Sequence, residues 1–467
     1  MIKYPSLLLI ASWSTLSAAA PIQPNIIYIN ADDLGVMDVG FNSPRYNSPN
    51  IDQLRAEGML FTNAYAPSAN CAPSRAACLS GQYSPRTGVY TVGNSDRGKA
   101  KDRKLIPIKN TTDLGLDNLT IAGALQAGGY KTIHLGKWHV GSDPTQQGFD
   151  INIGGDTSGG PYDGGYFSPF SGQMKPFNEQ YPKGTHRVDI FADQAIQFMR
   201  KHTEEPFFMH MAYYSVHAKL EPVPEFIDKY KDQPGLNAVY ASMIEKMDQG
   251  IGNILTELEA LGLKENTLVL FTSDNGGITK TSKQTPFRSG KGSYFEGGIR
   301  APLVLRWPAQ VPPNSTSNTP VIGIDYFPTF LDVANLSIPE GKQLDGVSLL
   351  PLLTQTGSID IRALYWHFPI YLQKYASIED DSHDALFRTR PGSALRYGKW
   401  KLHEYFEDGR IELYDLESDT GERTNLAKTH PEKAAQLKQM LNTWRTATAA
   451  PVPTELNPKY RELSLGK

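Results

Sequence analysis

Four short apolar runs, Asn25–Asn30, Tyr130–Leu135, Phe207–Tyr213 and Thr267–Phe271, constrain this chain more than any other feature. Each is bounded by polar residues and has the length of one buried strand. Between them lie stretches of helical character: Ser48 to Glu57 closed by Gly58, Asn118–Ala127 closed by Gly128 and Gly129, Val188–Met199, and Leu236–Leu261. In the last of these, Met243, Ile244, Met247, Ile251, Ile254 and Leu258 fall on one stripe, the mark of core packing. Strands alternating with helices predict an α/β fold with a large, mostly parallel, doubly wound sheet flanked by helices. Such sheets bind ligands beyond the carboxyl ends of their strands. Asp32, Lys137, His217 and Asp274 each follow one of the runs, so residues scattered along the chain are expected to meet in one cleft. Met59–Tyr65 and Pro302–Arg306 read as further strands and Asp325–Asn335 as a helix. From about Arg362 the pattern changes to short alternating strands, Ala363–His367, Ser393–Tyr397, Lys399–Tyr405 and Arg410–Asp415, followed by an amphipathic helix over Pro431–Thr446. This predicts a smaller C-terminal antiparallel α+β subdomain, with the chain divided into residues 20–357 and 358–467.

The chemistry centres on Cys71-Ala72-Pro73-Ser74-Arg75. Pro73 suits the first position of a helix and Gly81 its end. Cys71 is then expected just before the helix, where free N–H groups favour an anion, with Arg75 one turn on. That is a potentially activated nucleophile beside an oxyanion site. The competing reading is a small buried hydrophobe. A disulfide to Cys78 is disfavoured, because a helix separates the pair by roughly 10 Å. Asp32 and Asp33 repel each other just past a buried strand unless a hard cation joins them; alone they could also be a solvated turn. Asp274 and Asn275 add a carboxylate and an amide oxygen of the same kind. In Gly136-Lys137-Trp138-His139, an extended backbone would point Lys137 and His139 the same way. His217 could be a further acid or base or a plain loop histidine, and Lys291 by itself reads as a solvated charge. His367, within Tyr365-Trp366-His367-Phe368, is either a sugar-subsite residue or part of aromatic packing between domains.

The pentapeptide at Cys71 resembles the C-x-P-S-R signature of the type I sulfatases, within the alkaline-phosphatase-like superfamily. Ile26–Gly35 resembles that family's first strand and its Asp-Asp-Leu-Gly metal pair. Gly136–Gly141 resembles its Gly-Lys-Trp-His block, and Ser273–Gly276 its Ser-Asp-Asn-Gly site. Arg288–Pro302 and Leu344–Leu349 resemble two later blocks, in family order. The resemblance implies that a separate maturation enzyme oxidises Cys71 to formylglycine (3-oxoalanine), whose hydrate supplies the attacking oxygen. It implies a divalent cation, Ca²⁺ ahead of Mg²⁺, held by Asp32, Asp33, Asp274, Asn275 and the modified Cys71. Arg75, Lys137 and Lys291 then neutralise sulfate oxygens, His139 serves the formylglycine hydroxyl, and His217 protonates the leaving alkoxide. Glu296 and Arg300 are expected to be structural partners. The implied reaction is hydrolysis of a sulfated carbohydrate, with a galactan, ulvan or glycosaminoglycan all open. A phosphate or phosphonate ester hydrolase of the same superfamily and an inactive glycan-binding relative are the alternatives.

Lys3, the apolar stretch from Leu7 to Ala11, and Ser17-Ala18-Ala19 predict an export signal cleaved near Ala19, which implies a periplasmic or secreted protein. No later run has transmembrane length, so no membrane anchor is expected. Two cysteines exclude a disulfide framework. A net charge of −3 without a long basic run argues against nucleic acid as a partner. Asn94–Thr112, polar and basic, reads as a loop on the active-site rim. Ile151–Pro182, rich in Gly, Ser, Pro and Tyr, reads as a long loop walling a substrate cleft.

Overall fold

The computed structural model describes residues 23–375, 380–382 and 384–462; the expected export signal lies outside them. Its main sheet has eight strands in the order Ile151–Ile153, Lys131–Gly136, Phe207–Ala212, Asn25–Ala31, Thr267–Ser273, Leu303–Arg306, Met59–Phe61 and Ser315–Ser317. The first five run parallel. Leu303–Arg306 is antiparallel to both of its neighbours.

The Asn25–Ala31 strand sits at the centre and is buried throughout. Its side chains alternate between two cores, as strand geometry requires. Ile27, Ile29 and Ala31 join one core with the helices Pro49–Glu57, Arg187–Lys201 and Ala238–Ala260. Ile26 and Tyr28 join the opposite core with Cys71–Ser80, Ile121–Ala127 and Tyr326–Val333. The sheet is therefore doubly wound, and its register brings the carboxyl ends of the central strands level. Ala31 pairs with Ser273, and Gly136 with Ala212. Gly136 is required there: its φ is +98°, and a Cβ would come within 2.0 Å of the Ala212 carbonyl.

Ala363–Phe368, Gly392–Tyr397, Trp400–Tyr405 and Ile411–Asp415 form a four-stranded antiparallel meander. The helix Pro431–Ala447 packs on it through Leu437, Leu441 and Trp444. The meander is tied to the Glu296 region by charge. Lys401 Nζ lies 2.8 Å from Glu296 and 3.0 Å from Glu422, and Arg300 pairs with Glu296 at 3.0 Å, the structural role expected of that pair.

Away from the Cys71 helix, the structure differs from the sequence reading chiefly in two elements. The Met59–Tyr65 run divides into Met59–Phe61 in the main sheet and Ala64–Tyr65, which pairs with Val321–Ile322. Ile151–Pro182 is not loop throughout: it holds a short edge strand and a 3₁₀ turn over Gly172–Asn178. Tyr166, Phe170, Met174 and Phe177 from this stretch enter the core. The buried Arg187 guanidinium holds it, 5.0 Å from the Phe170 ring centroid and 5.9 Å from that of Tyr166.

Candidate active site

Residues just past the level strand ends converge on the N-terminus of Cys71–Ser80. That helix begins two residues earlier than the sequence suggests, with Asn70 as N-cap, so Cys71 opens its first turn. Pro73 is still tolerated, because the N–H groups of the first turn have no partner within the helix. Gly81 ends the helix at φ +67°. All ten residues are buried, and both cysteines are free thiols.

Asp32, Asp33 and Asp274 meet Arg75, Lys137 and Lys291 in one buried cluster. Asp32 pairs with Lys137 Nζ at 2.7 Å, Asp33 with Lys291 Nζ at 2.5 Å, and Asp274 with Arg75 Nε at 2.8 Å. Arg75 Nη1 also donates to the Lys137 carbonyl at 2.9 Å. Asn275 Nδ2 donates to Asp33 Oδ1 at 2.8 Å. Cys71 Sγ lies 3.0 Å from Lys291 Nζ and 3.6 Å and 3.8 Å from oxygens of Asp32 and Asp33. His217 Nε2 approaches Asp33 Oδ2 to 3.9 Å, and its Nδ1–H is donated to the Ala218 carbonyl.

Lys137 and His139 do not project side by side from an extended strand. His139 has a φ of +66°, its N–H donates to the Asp156 carbonyl at 2.9 Å, and its ring packs over Gly159. Asp33 and Ser289 share such left-handed backbone, at φ +61° and +63°. Strained backbone gathered at one place marks a site that its surroundings over-determine.

Burial shapes the electrostatics. Desolvation, opposed by Lys137, lifts the Asp32 carboxyl above its usual range; against the same desolvation, Lys291 holds Asp33 well below it. Burial pushes the Cys71 thiol up to about 12 despite Lys137 and Lys291. The expected activation of Cys71 by the helix dipole is therefore overridden, and the thiol itself is a poor nucleophile here. Burial also lowers His217 to about 4 and His139 to about 2, so both imidazoles are neutral at neutral pH.

The donor set fits a hard cation. Ligand atoms of Asp32, Asp33, Cys71 and Asp274 all lie within 4.8 Å of one another. Asp33 Oδ2 and Asn275 Oδ1 are buried without a hydrogen-bond partner. Orphaned buried oxygens are costly unless something binds them, and carboxylate and amide oxygens suit Ca²⁺ or Mg²⁺.

His367 is not brought to this cluster. It is 3% exposed, with Nδ1 2.8 Å from Ser393 Oγ and Nε2 2.9 Å from the Pro451 carbonyl. Its ring packs edge-on against Tyr90 and Trp444. The expectation of a sugar contact is corrected to aromatic packing, because its strand turns the side chain under the C-terminal helix. Sequence reasoning assigned no residue in the Gly-rich stretch, yet Tyr162 stands there 72% exposed, its ring 6.4 Å from that of His217.

Residues 24–336 match the family model "Sulfatase", and residues 290–447 match "N-sulphoglucosamine sulphohydrolase, C-terminal". A sulfatase of Formosa agariphila is 32% identical, over 92% of this chain and 90% of that protein. The N-acetylgalactosamine-6-sulfatase of Rattus norvegicus is 31% identical, over 75% and 70%. Among solved structures, that of Ps i-CgsB superimposes with a TM-score of 0.73 at 27% identity, covering 90% of this chain and 92% of the other; it has also been solved in complex with k-i-k-neocarrahexaose. With the fold, the buried cluster and these likenesses in agreement, the chain belongs to the sulfatase family and is a hydrolase of sulfate esters.

Proposed function

We propose that the protein removes sulfate from a sulfated glycan, using a formylglycine made from Cys71 and a divalent cation, Ca²⁺ ahead of Mg²⁺. The observation that carries this reading is the charge balance of the buried cluster. Three carboxylates face three cationic side chains, so the set is neutral as it stands. A divalent cation leaves two positive charges in excess, in a dry site that then attracts an anion. Asp32, Asp33, Asp274, Asn275 and residue 71 would hold the cation, which supplies Lewis-acid polarisation of a sulfate oxygen. The hydrated aldehyde of residue 71 supplies the attacking oxygen.

The chain's own side chains do the rest. Arg75, Lys137 and Lys291 neutralise charge on the sulfate oxygens. His139 is neutral, with a buried Nδ1 that has no hydrogen-bond partner among the described residues, and would take the proton of the formylglycine hydroxyl. His217 has Nδ1–H bound to Ala218, and burial first, then Lys137 and Lys291, keep Nε2 free of a proton; an incoming anion would favour the protonated ring, whose Nε2 proton would go to the leaving oxygen. Tyr162 offers its exposed ring to a sugar face at the mouth. A glycan substrate is supported by the likeness to an N-acetylgalactosamine-6-sulfatase and to a protein crystallised with a neocarrahexaose. Export through residues 1–19 would place the enzyme where such polymers are met, and N-terminal sequencing of exported protein, starting near Ala20, checks that.

The test is peptide mass spectrometry across Cys71 on protein made with a maturation enzyme, followed by parallel assays on aryl sulfate and aryl phosphate. We expect a loss of about 18 Da at residue 71 and turnover of the sulfate ester. Full conversion with turnover of only the phosphate ester would favour an ester hydrolase of the other kind. Glycan binding with no release of sulfate would favour a binding relative.

A further inference from the structure

Arg75, Lys137 and Lys291 each have a carboxylate partner. Two arginines on the Lys291 side have none among the described residues. Arg388 lies in the Phe387–Thr389 strand, which pairs with Leu372–Gln373. Its Nη1 donates to the Lys291 carbonyl at 2.9 Å and its Nε to the Gln373 carbonyl at 3.1 Å. Its guanidinium stacks 3.6 Å from the centroid of the Tyr375 ring. The Ser95–Gly98 loop is fastened to the same ribbon. Tyr371 N–H donates to the Ser95 carbonyl at 2.9 Å, Asp96 bridges Tyr371, and Gly98 packs on Phe387.

Arg97 of this loop is half-buried, and among the described residues its side chain makes one hydrogen bond, a long one of 3.5 Å to the Val92 carbonyl. Burial and then the like charge of Arg388 depress its pKa. Among the described residues no carboxylate pairs with Arg97 or Arg388, and the nearby Asp96 is taken by Arg103. Partly desolvated like charges without a counter-charge are unfavourable until an anion arrives. Arginine is suited to receive one, through its planar fork of donors. Arg388 also hydrogen-bonds the backbone of the residue whose ammonium touches Cys71, which ties the Arg388 end of the pair to the catalytic cluster.

We propose that Arg97 and Arg388, backed by Tyr375, form a second anion subsite, and that the preferred substrate carries a further sulfate or carboxylate close to the sulfate that is cleaved. The proposal deepens the sulfatase reading and rests on it.

The test compares wild type with Arg97→Gln, both fully matured, at low ionic strength. Four substrates are used: an aryl sulfate, a singly sulfated sugar, the same sugar with a second sulfate, and the singly sulfated sugar linked to a uronate. We expect kcat/KM of the wild type to favour one of the doubly anionic sugars by tenfold or more over the singly sulfated sugar, and Arg97→Gln to lose that preference. Which sugar is favoured identifies the second anion as sulfate or carboxylate. No preference in the wild type, or one unchanged in Arg97→Gln, overturns the subsite. Calorimetry of the same sugars on Cys71→Ser protein, with and without Arg97→Gln, decides the question independently of turnover. A missing aryl sulfatase activity then counts against the sulfatase reading, whereas equal binding of singly and doubly anionic sugars counts against the subsite.

Discussion

Arg75 holds two partners with one guanidinium and keeps its third nitrogen unpaired. Nε holds Asp274, Nη1 holds the Lys137 carbonyl, and Nη2 is buried without a partner. Arg75→Ala removes the fork and leaves Asp274 uncompensated, so kcat on an aryl sulfate should fall by about 100-fold or more. Arg75→Lys should fare little better, since one ammonium cannot reproduce the planar geometry. Near-normal turnover in either variant would contradict the role given to Arg75. Asp33 allows a test that needs no turnover. Its Oδ2 is an orphan that a cation would satisfy, so adding Ca²⁺ should raise the thermal midpoint, by about 2.7 kcal/mol of stability at a hundred times Kd. Asp33→Asn should remove most of that response in a melting experiment. An identical Ca²⁺ response in both proteins would place the cation elsewhere.

At the scale of elements, the helix Pro49–Glu57 has no side-chain cap of its own. Ser48, the expected start, instead accepts from the Gly40 N–H at 2.7 Å. The cap comes from the long Ala238–Ala260 helix: Asp248 accepts from Ile51 N–H at 2.8 Å and from Asn50 N–H at 3.2 Å. Asp248→Ala orphans both donors, and we expect a loss of about 1–3 kcal/mol in urea unfolding, far above that of an exposed substitution. Such tertiary capping also marks the limit of what could be read in advance. The parallel strands were legible because continuous apolar runs between polar ends leave one sensible structure, and the long helix because its stripe repeats for six turns. The cluster was legible because Asp32, Lys137 and Asp274 directly follow those strands. Ile151–Pro182 was not, since its turns are held by Arg187 from outside the segment. Arg97 and Arg388 were not, because an arginine in a polar loop looks the same with or without a counter-ion. Which of the two readings of the Cys71 thiol holds was not legible for a related reason: its proximity to a helix end is local, whereas its burial is a property of the whole fold.

For the whole molecule, the buried histidines set the response to acid. Desolvation lowers His134, His186 and His367 to about 3 each, from an ordinary value of 6.5. The native state keeps them neutral while the unfolded chain protonates below that ordinary value, so stability falls as pH drops below about 6.5. These three alone steepen the slope toward about 4 kcal/mol per pH unit. The urea midpoint should therefore drop between pH 7 and pH 5; a midpoint that holds or rises would contradict the burial of these rings. The topology has a consequence for biogenesis. The central strand is made first, but its two neighbours, Phe207–Ala212 and Thr267–Ser273, come far later in the chain. Until they are synthesised, nothing can wall in Cys71, which ends 1% exposed. In the folded chain Cys71 lies in the first turn of a helix buried along its whole length, where a second protein cannot grip the backbone on both sides of it, so the maturation proposed above would belong to the growing or translocating chain. A mature pool that was folded before meeting its maturation enzyme would stay unconverted for life.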